Sequence, residues 1–209
     1  MGGLSSELLL ALSKKLNSEC FATLSANITG AGFAACLFCW RDIMDNIKFY
    51  EINEAYIDYL SPHAPHLFHN SKKSQTNTRK YLGVVLRVND MDYFAPLSSH
   101  KAKHDKMKES LDFLKVGRYA VINLNNMFPV PEKECHYVDF SVIKDKVYKD
   151  LLLAEYRIVK QMQGKIGKRA EQLYHHKCVN GDNTALARRC NDFIKLEKLC
   201  LNYKQGIKN

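Results

Sequence analysis

The stretch that most constrains this chain runs from Tyr81 to Leu97. Tyr81–Val88 (YLGVVLRV) is rich in β-branched and aromatic residues, Asn89-Asp90 is a turn signal, and Asp92–Leu97 (DYFAPL) reads as a returning strand. Together they predict an antiparallel hairpin. Pro96 is expected to end the second strand, because it has no N–H for the ladder. Ile47–Ile52 reads as a strand, and Asn53–Leu60 as a helix with Asn53 as its cap. Leu111–Val116 and Arg118–Leu124, split by Gly117, predict a second hairpin. Beyond them the period changes to that of helices. Lys144–Gln163 places Val147, Leu151, Ala154, Ile158 and Met162 on one stripe, and Ala185–Tyr203 does so with Leu186, Cys190, Phe193 and Cys200. Asn180-Gly181-Asp182 breaks the chain between the two. Strands first and helices later make this an α+β chain.

Composition changes near residue 44. Residues 4–17 look like a helix, followed by a small-residue stretch and the short apolar run Ile28–Trp40. The expected division is an N-terminal extension at 1–43, either an appendage or upstream sequence read in frame from a true start at Met44, and one domain at 44–209. Seven cysteines at 20, 36, 39, 135, 178, 190 and 200 form an odd set, which fits reduced thiols in a cytoplasm better than a secreted disulfide framework. Cys36 and Cys39 lack the second pair that a structural zinc site needs. No segment has the roughly 20 apolar residues that span a bilayer.

Charge narrows the partner. Lys plus Arg is 31 against 22 for Asp plus Glu, a net +9. Residues 1–43 hold three basic and three acidic residues, so all of the excess sits on 44–209. Such an excess favours a polyanion through phosphate contacts and counterion release.

The densest polar cluster follows the first hairpin: Ser98-Ser99-His100-Lys101-Ala102-Lys103-His104-Asp105-Lys106. A strand aims its first residues, and loops held by a scaffold are where sites sit. Cleaving RNA without a metal requires that the 2′-oxygen lose a proton, the leaving 5′-oxygen gain one, and the phosphorane-like charge be stabilised. Ser98, Ser99, Lys101, His104 and an Arg79 brought in by the neighbouring strand would supply those functions. Carboxylates are scarce here, so a two-metal Mg²⁺ site is not suggested. On spacing alone, the cluster reads more readily as a solvated charged turn. A serine hydrolase is poorly supported without a nucleophile elbow.

At these residues the chain resembles the ToxN/AbiQ family, the RNase toxins of type III toxin–antitoxin systems. The resemblance runs in order from Ile47 to about Tyr174. It comprises Lys48–Ile52 with Tyr56–Leu60, Arg79–Val85, Tyr93–Lys101 continued by His104 and Lys108–Ser110, Ile122–Leu124 with Met127, Pro129 and Val130, and Tyr148-Lys149. The family's essential serine falls on Ser99, its hydroxyl neighbour on Ser98, its lysine on Lys101 and its basic residue before the [FY]-x-G strand on Arg79. Gln75 stands where some relatives carry an active-site tyrosine.

The resemblance implies a compact, strongly curved antiparallel sheet of the Kid/MazF kind with surrounding helices and a long helical C-terminal part. It implies metal-independent cleavage of single-stranded cellular or phage mRNA, with no cofactor, leaving 2′,3′-cyclic phosphate ends. It implies inhibition by a small repeated antitoxin RNA, which the toxin processes and which binds it in a closed protein–RNA hetero-oligomer, and a role in phage abortive infection. The alternative is a non-catalytic basic RNA-binding module. A small-molecule hydrolase using Ser99 ranks third.

Overall fold

The computed structural model describes residues 47–64, 67 and 78–204. The helix expected at 4–17, the Cys36/Cys39 pair, Met44, Gln75 and most of the 61–78 loop lie outside the described residues. Within them, β1 (Lys48–Ile52) leads into α1 (Glu54–Leu60). β2 (Tyr81–Val88) turns directly into β3 (Met91–Ser99). Asn89 and Asp90 both have positive φ, 50° and 58°, as a type I′ hairpin turn requires.

β3 departs from the sequence expectation in a way that matters for the site. It runs on through Pro96 to Ser99. One of its edges pairs with β2, Tyr81 opposite Pro96. The other pairs with β6 (Phe128–Val130) as far as Phe94, and with β5 (Ala120–Asn123) from Leu97 onward. The Leu97 N–H donates toward β2, to the Lys80 carbonyl at 3.0 Å. Amides alternate in direction along a strand, so the missing N–H of Pro96 falls in the gap between β6 and β5 and no ladder bond is lost.

The second hairpin joins β4 (Phe113–Val116) to β5, with Gly117 at φ 55° in the turn. β7 (Cys135–Tyr137) pairs with β1. The antiparallel sheet runs β4-β5-β3-β2-β1-β7, with β6 alongside β3. Its helices are the single turn α2 (Ala102–Lys106), the 35-residue α3 (Lys146–Asn180), the short α4 (Ala185–Arg188) and α5 (Phe193–Lys204). One core layer holds Ile52, Tyr81, Phe94, Phe128 and Val130 from the sheet against Tyr56, Ile57 and Leu60 of α1 and Leu196 and Leu199 of α5. α3 contributes Tyr156 edge-on to Phe49 and Tyr174 edge-on to Tyr93. The Phe94 ring lies where a side chain on Gly83 would stand, 2.1 Å from an added Cβ, which explains why glycine follows Tyr81-Leu82.

The helical readings need two corrections. α3 buries Leu152, Glu155, Val159, Ile166, Ala170 and Leu173, one position round from the expected stripe, and leaves Val147 81% exposed. The expected continuous helix from Ala185 is interrupted between Arg188 and Phe193. Asn53 does stand at the N-cap of α1, but its side chain makes no cap bond and instead reaches Glu134 at 2.8 Å and His136 at 3.0 Å. Among the described residues, no helix is long and apolar enough to cross a membrane.

Candidate active site

Arg79 stands two residues outside the Tyr81–Pro96 pairing, beyond the Lys80 carbonyl that holds Leu97. That register sets Arg79 across from Ser98, and Arg79 Nη1 donates to Ser98 Oγ at 3.4 Å, a long bond. Ser98 also faces Val121 across β5, and Ser99 faces Ala120. Successive strand side chains point to opposite faces, so Ser98 shares Arg79's side while Ser99, which is exposed, lies on the other.

The chain then leaves the sheet. The His100 N–H donates to the Tyr119 carbonyl at 2.9 Å, a last tie to the second hairpin. Lys101 is exposed at the N-cap of α2. Its backbone N–H donates to His104 Nδ1 at 3.1 Å, and its carbonyl accepts the His104 N–H at 2.7 Å. A single histidine therefore closes the loop through both its ring and its backbone. An Nδ1 that accepts makes the neutral Nε2–H tautomer the one that fits.

His104 is 6% exposed and lies between the His100 ring, 5.5 Å away, and Phe113, 5.7 Å away. Burial first, then the charges of Lys103, His100 and Lys101, lower its pKa below the usual value, with Asp105 opposing. It is neutral at neutral pH. The Lys101, Lys103, Lys106 and Lys108 side chains around it are exposed, an electropositive rim beside the two serines.

The other side of the same strands carries residues that received no role from sequence. Lys80 is 7% exposed. Its Nζ donates to Glu51 Oε1, to the Thr78 carbonyl at 3.1 Å and to Thr78 Oγ1 at 3.0 Å, and sits 5.7 Å from the Tyr148 ring centre. Thr78 Oγ1 also donates to Glu51 Oε1. Burial alone would raise the Glu51 pKa, but the Lys80 and Thr78 hydrogen bonds and the Lys80 charge outweigh it and lower the carboxyl's pKa. Strand parity offered a signal: Glu51 shares a face with the fully buried Phe49, which places its half-exposed carboxylate where it can pair with a buried ammonium such as that of Lys80. A surface hollow lined by Lys177, Cys178, Asp182 and Asp192 holds none of the candidate residues.

Residues 48–200 match the model of the toxin ToxN of type III toxin–antitoxin systems. This chain belongs to that family. The endoribonuclease ToxN of Bacillus thuringiensis subsp. kurstaki is 34% identical over 169 residues, covering 77% of this chain and 86% of that protein. A solved structure from a study of selective toxin inhibition by a non-coding RNA pseudoknot superposes with a TM-score of 0.67 at 34% identity, covering 77% of this chain and 99% of the other. A second, from a study of a processed non-coding RNA that regulates a bacterial antiviral system, gives a TM-score of 0.65 at 25% identity, covering 74% and 98%. Arg79, Ser98, Ser99, Lys101 and His104 all lie within the matched residues 48–200.

Proposed function

We propose that this ToxN-family chain is a metal-independent endoribonuclease that cuts single-stranded RNA at the end of β3. The observation that carries the reading is the pairing of Arg79 with Ser98 across β2 and β3, with Ser99 and Lys101 following on the same chain. The reaction is a transesterification. The 2′-oxygen attacks phosphorus, the P–O5′ bond breaks, and the products are a 2′,3′-cyclic phosphate and a 5′-hydroxyl. One proton leaves the 2′-hydroxyl and one reaches the departing 5′-oxygen.

Ser99, exposed at the strand end, hydrogen-bonds the 2′-hydroxyl or the scissile phosphate. Arg79 and Lys101 stabilise the charge that grows on the phosphoryl oxygens, and Ser98 orients Arg79. For His104, the occupied Nδ1 favours holding the Lys101 loop over donating a proton, because a neutral Nε2–H is a weak acid. Exposed lysines and aromatic rings hold the strand and its bases. By analogy with the pseudoknot-inhibited and antiviral neighbours, the physiological inhibitor is a small repeated antitoxin RNA, processed by the toxin and bound in a closed assembly, and the outcome is phage abortive infection.

The test is incubation of RNA-free protein with a mixed single-stranded RNA in EDTA, followed by end mapping. Discrete cuts with cyclic-phosphate ends support the reading. Cutting only after Mg²⁺ is restored, or binding with no cutting, contradicts it.

A further inference from the structure

Arg79 lies just outside the strand ladder: β2 begins at Tyr81, two residues later. What surrounds it is a side-chain clip. Lys80 reaches back past Arg79 to the Thr78 carbonyl and hydroxyl, so the residues on either side of Arg79 are tied together. Both are then fastened to Glu51 of β1, which is itself paired in the sheet through His136. Tyr148 of α3 lies beside the ammonium. With Thr78 and Lys80 fixed on one face, Arg79 must leave on the other, toward Ser98.

Resting on the active-site reading above, we propose that Lys80 is a positioning residue that aims the Arg79 guanidinium, through a Glu51–Lys80–Thr78 clip closed around the Arg79 backbone. It touches no RNA. Its buried position and three bonds also mean that a long apolar replacement keeps the volume while removing the clip.

The test compares Lys80→Met, Lys80→Arg and Thr78→Val, each alone and with Arg79→Ala. In single-turnover cleavage, Lys80→Met is expected to lower the rate at saturating RNA about 10-fold while RNA affinity stays within about 3-fold. Lys80→Arg, which can still reach Glu51 and Thr78, should restore most of the rate. In the Arg79→Ala background, Lys80→Met should cost less than about 2-fold more, because both changes act on one group. A second readout needs no catalysis: the Arg79 Nε–H NMR signal, assigned by its loss in Arg79→Ala, should move toward that of a mobile arginine in Lys80→Met, with Thr78→Val moving it partway. Full additivity with Arg79→Ala, or an unchanged Arg79 signal in folded Lys80→Met, overturns the proposal. A wild type that cuts no RNA but whose Arg79 signal moves as stated upholds the clip and removes the enzymatic reading instead.

Discussion

The two halves of the candidate site are held by different physics. Arg79 and Ser98 face each other across a ladder whose neighbours, Tyr81, Phe94 and Phe128, are nearly fully buried. Ser99 and Lys101 lie where the chain leaves that ladder, and the Lys101 end is closed by one histidine. The strand half rests on a guanidinium and a hydroxyl that the ladder sets opposite each other. The loop half depends on an imidazole that accepts only while neutral. Position and pH response are divided within one site: the sheet supplies geometry, and the loop supplies sensitivity to protons.

The largest expected effect is chemical. Lys101→Ala and Ser99→Ala should each lower the cleavage rate by about 100-fold or more, the scale of losing one transition-state contact, with unchanged circular dichroism. Should either variant cut as well as wild type, the loop half is not catalytic. Gly83→Ala tests the scaffold under the strand half. A methyl group 2.1 Å from the Phe94 ring, itself 2% exposed, cannot be housed without displacing the core. Denaturant unfolding should show a loss of about 1–3 kcal/mol or more.

The pH predictions separate the halves. His104 has a lowered pKa, so the folded loop favours the neutral ring. Its support is present above the unfolded value near 6.5 and is lost as pH falls through the lowered folded value. Wild-type cleavage should therefore fall on the acid side below pH 6.5, and His104→Asn should remove that limb while lowering the plateau about 10-fold. If the limb survives in His104→Asn, another group titrates.

Glu155 gives a contrasting and smaller effect on stability alone. It is 5% exposed on the inner face of α3, and burial raises its pKa from 4.5 to about 7. The fold favours the protonated acid. The penalty is absent below about pH 4.5, grows as pH rises toward 7, and is complete above it. Glu155→Gln should gain on the order of 2 kcal/mol at pH 8 and nothing near pH 4.5, read by thermal denaturation at both pH values. Cleavage per folded molecule should not change.

Much of this molecule was legible in the chain. The hairpin at Asn89-Asp90, the β-to-α order and the dense polar cluster were read from turn chemistry and periodicity. Pro96 misled because local ladder rules assume one partner per strand edge, whereas β3 changes partner where its N–H is missing. The face of α3 misled because Glu155 counts as polar in any binary pattern yet sits inward beside Leu152 and Val159. For the candidate site, the sequence points to Arg79, Ser98, Ser99, Lys101 and His104 but not to their division between two sides of a strand, which follows from register. The Glu51–Lys80 partnership spans two strands and could be read only once β1 was paired with β2.

Catalysis at the end of β3 is tested most directly by measuring RNA affinity and single-turnover cleavage of Ser99→Ala beside wild type in the same buffer. Binding should stay within about 3-fold of wild type and cleavage should fall about 100-fold or more. Equal cleavage by both proteins would contradict catalysis at the end of β3.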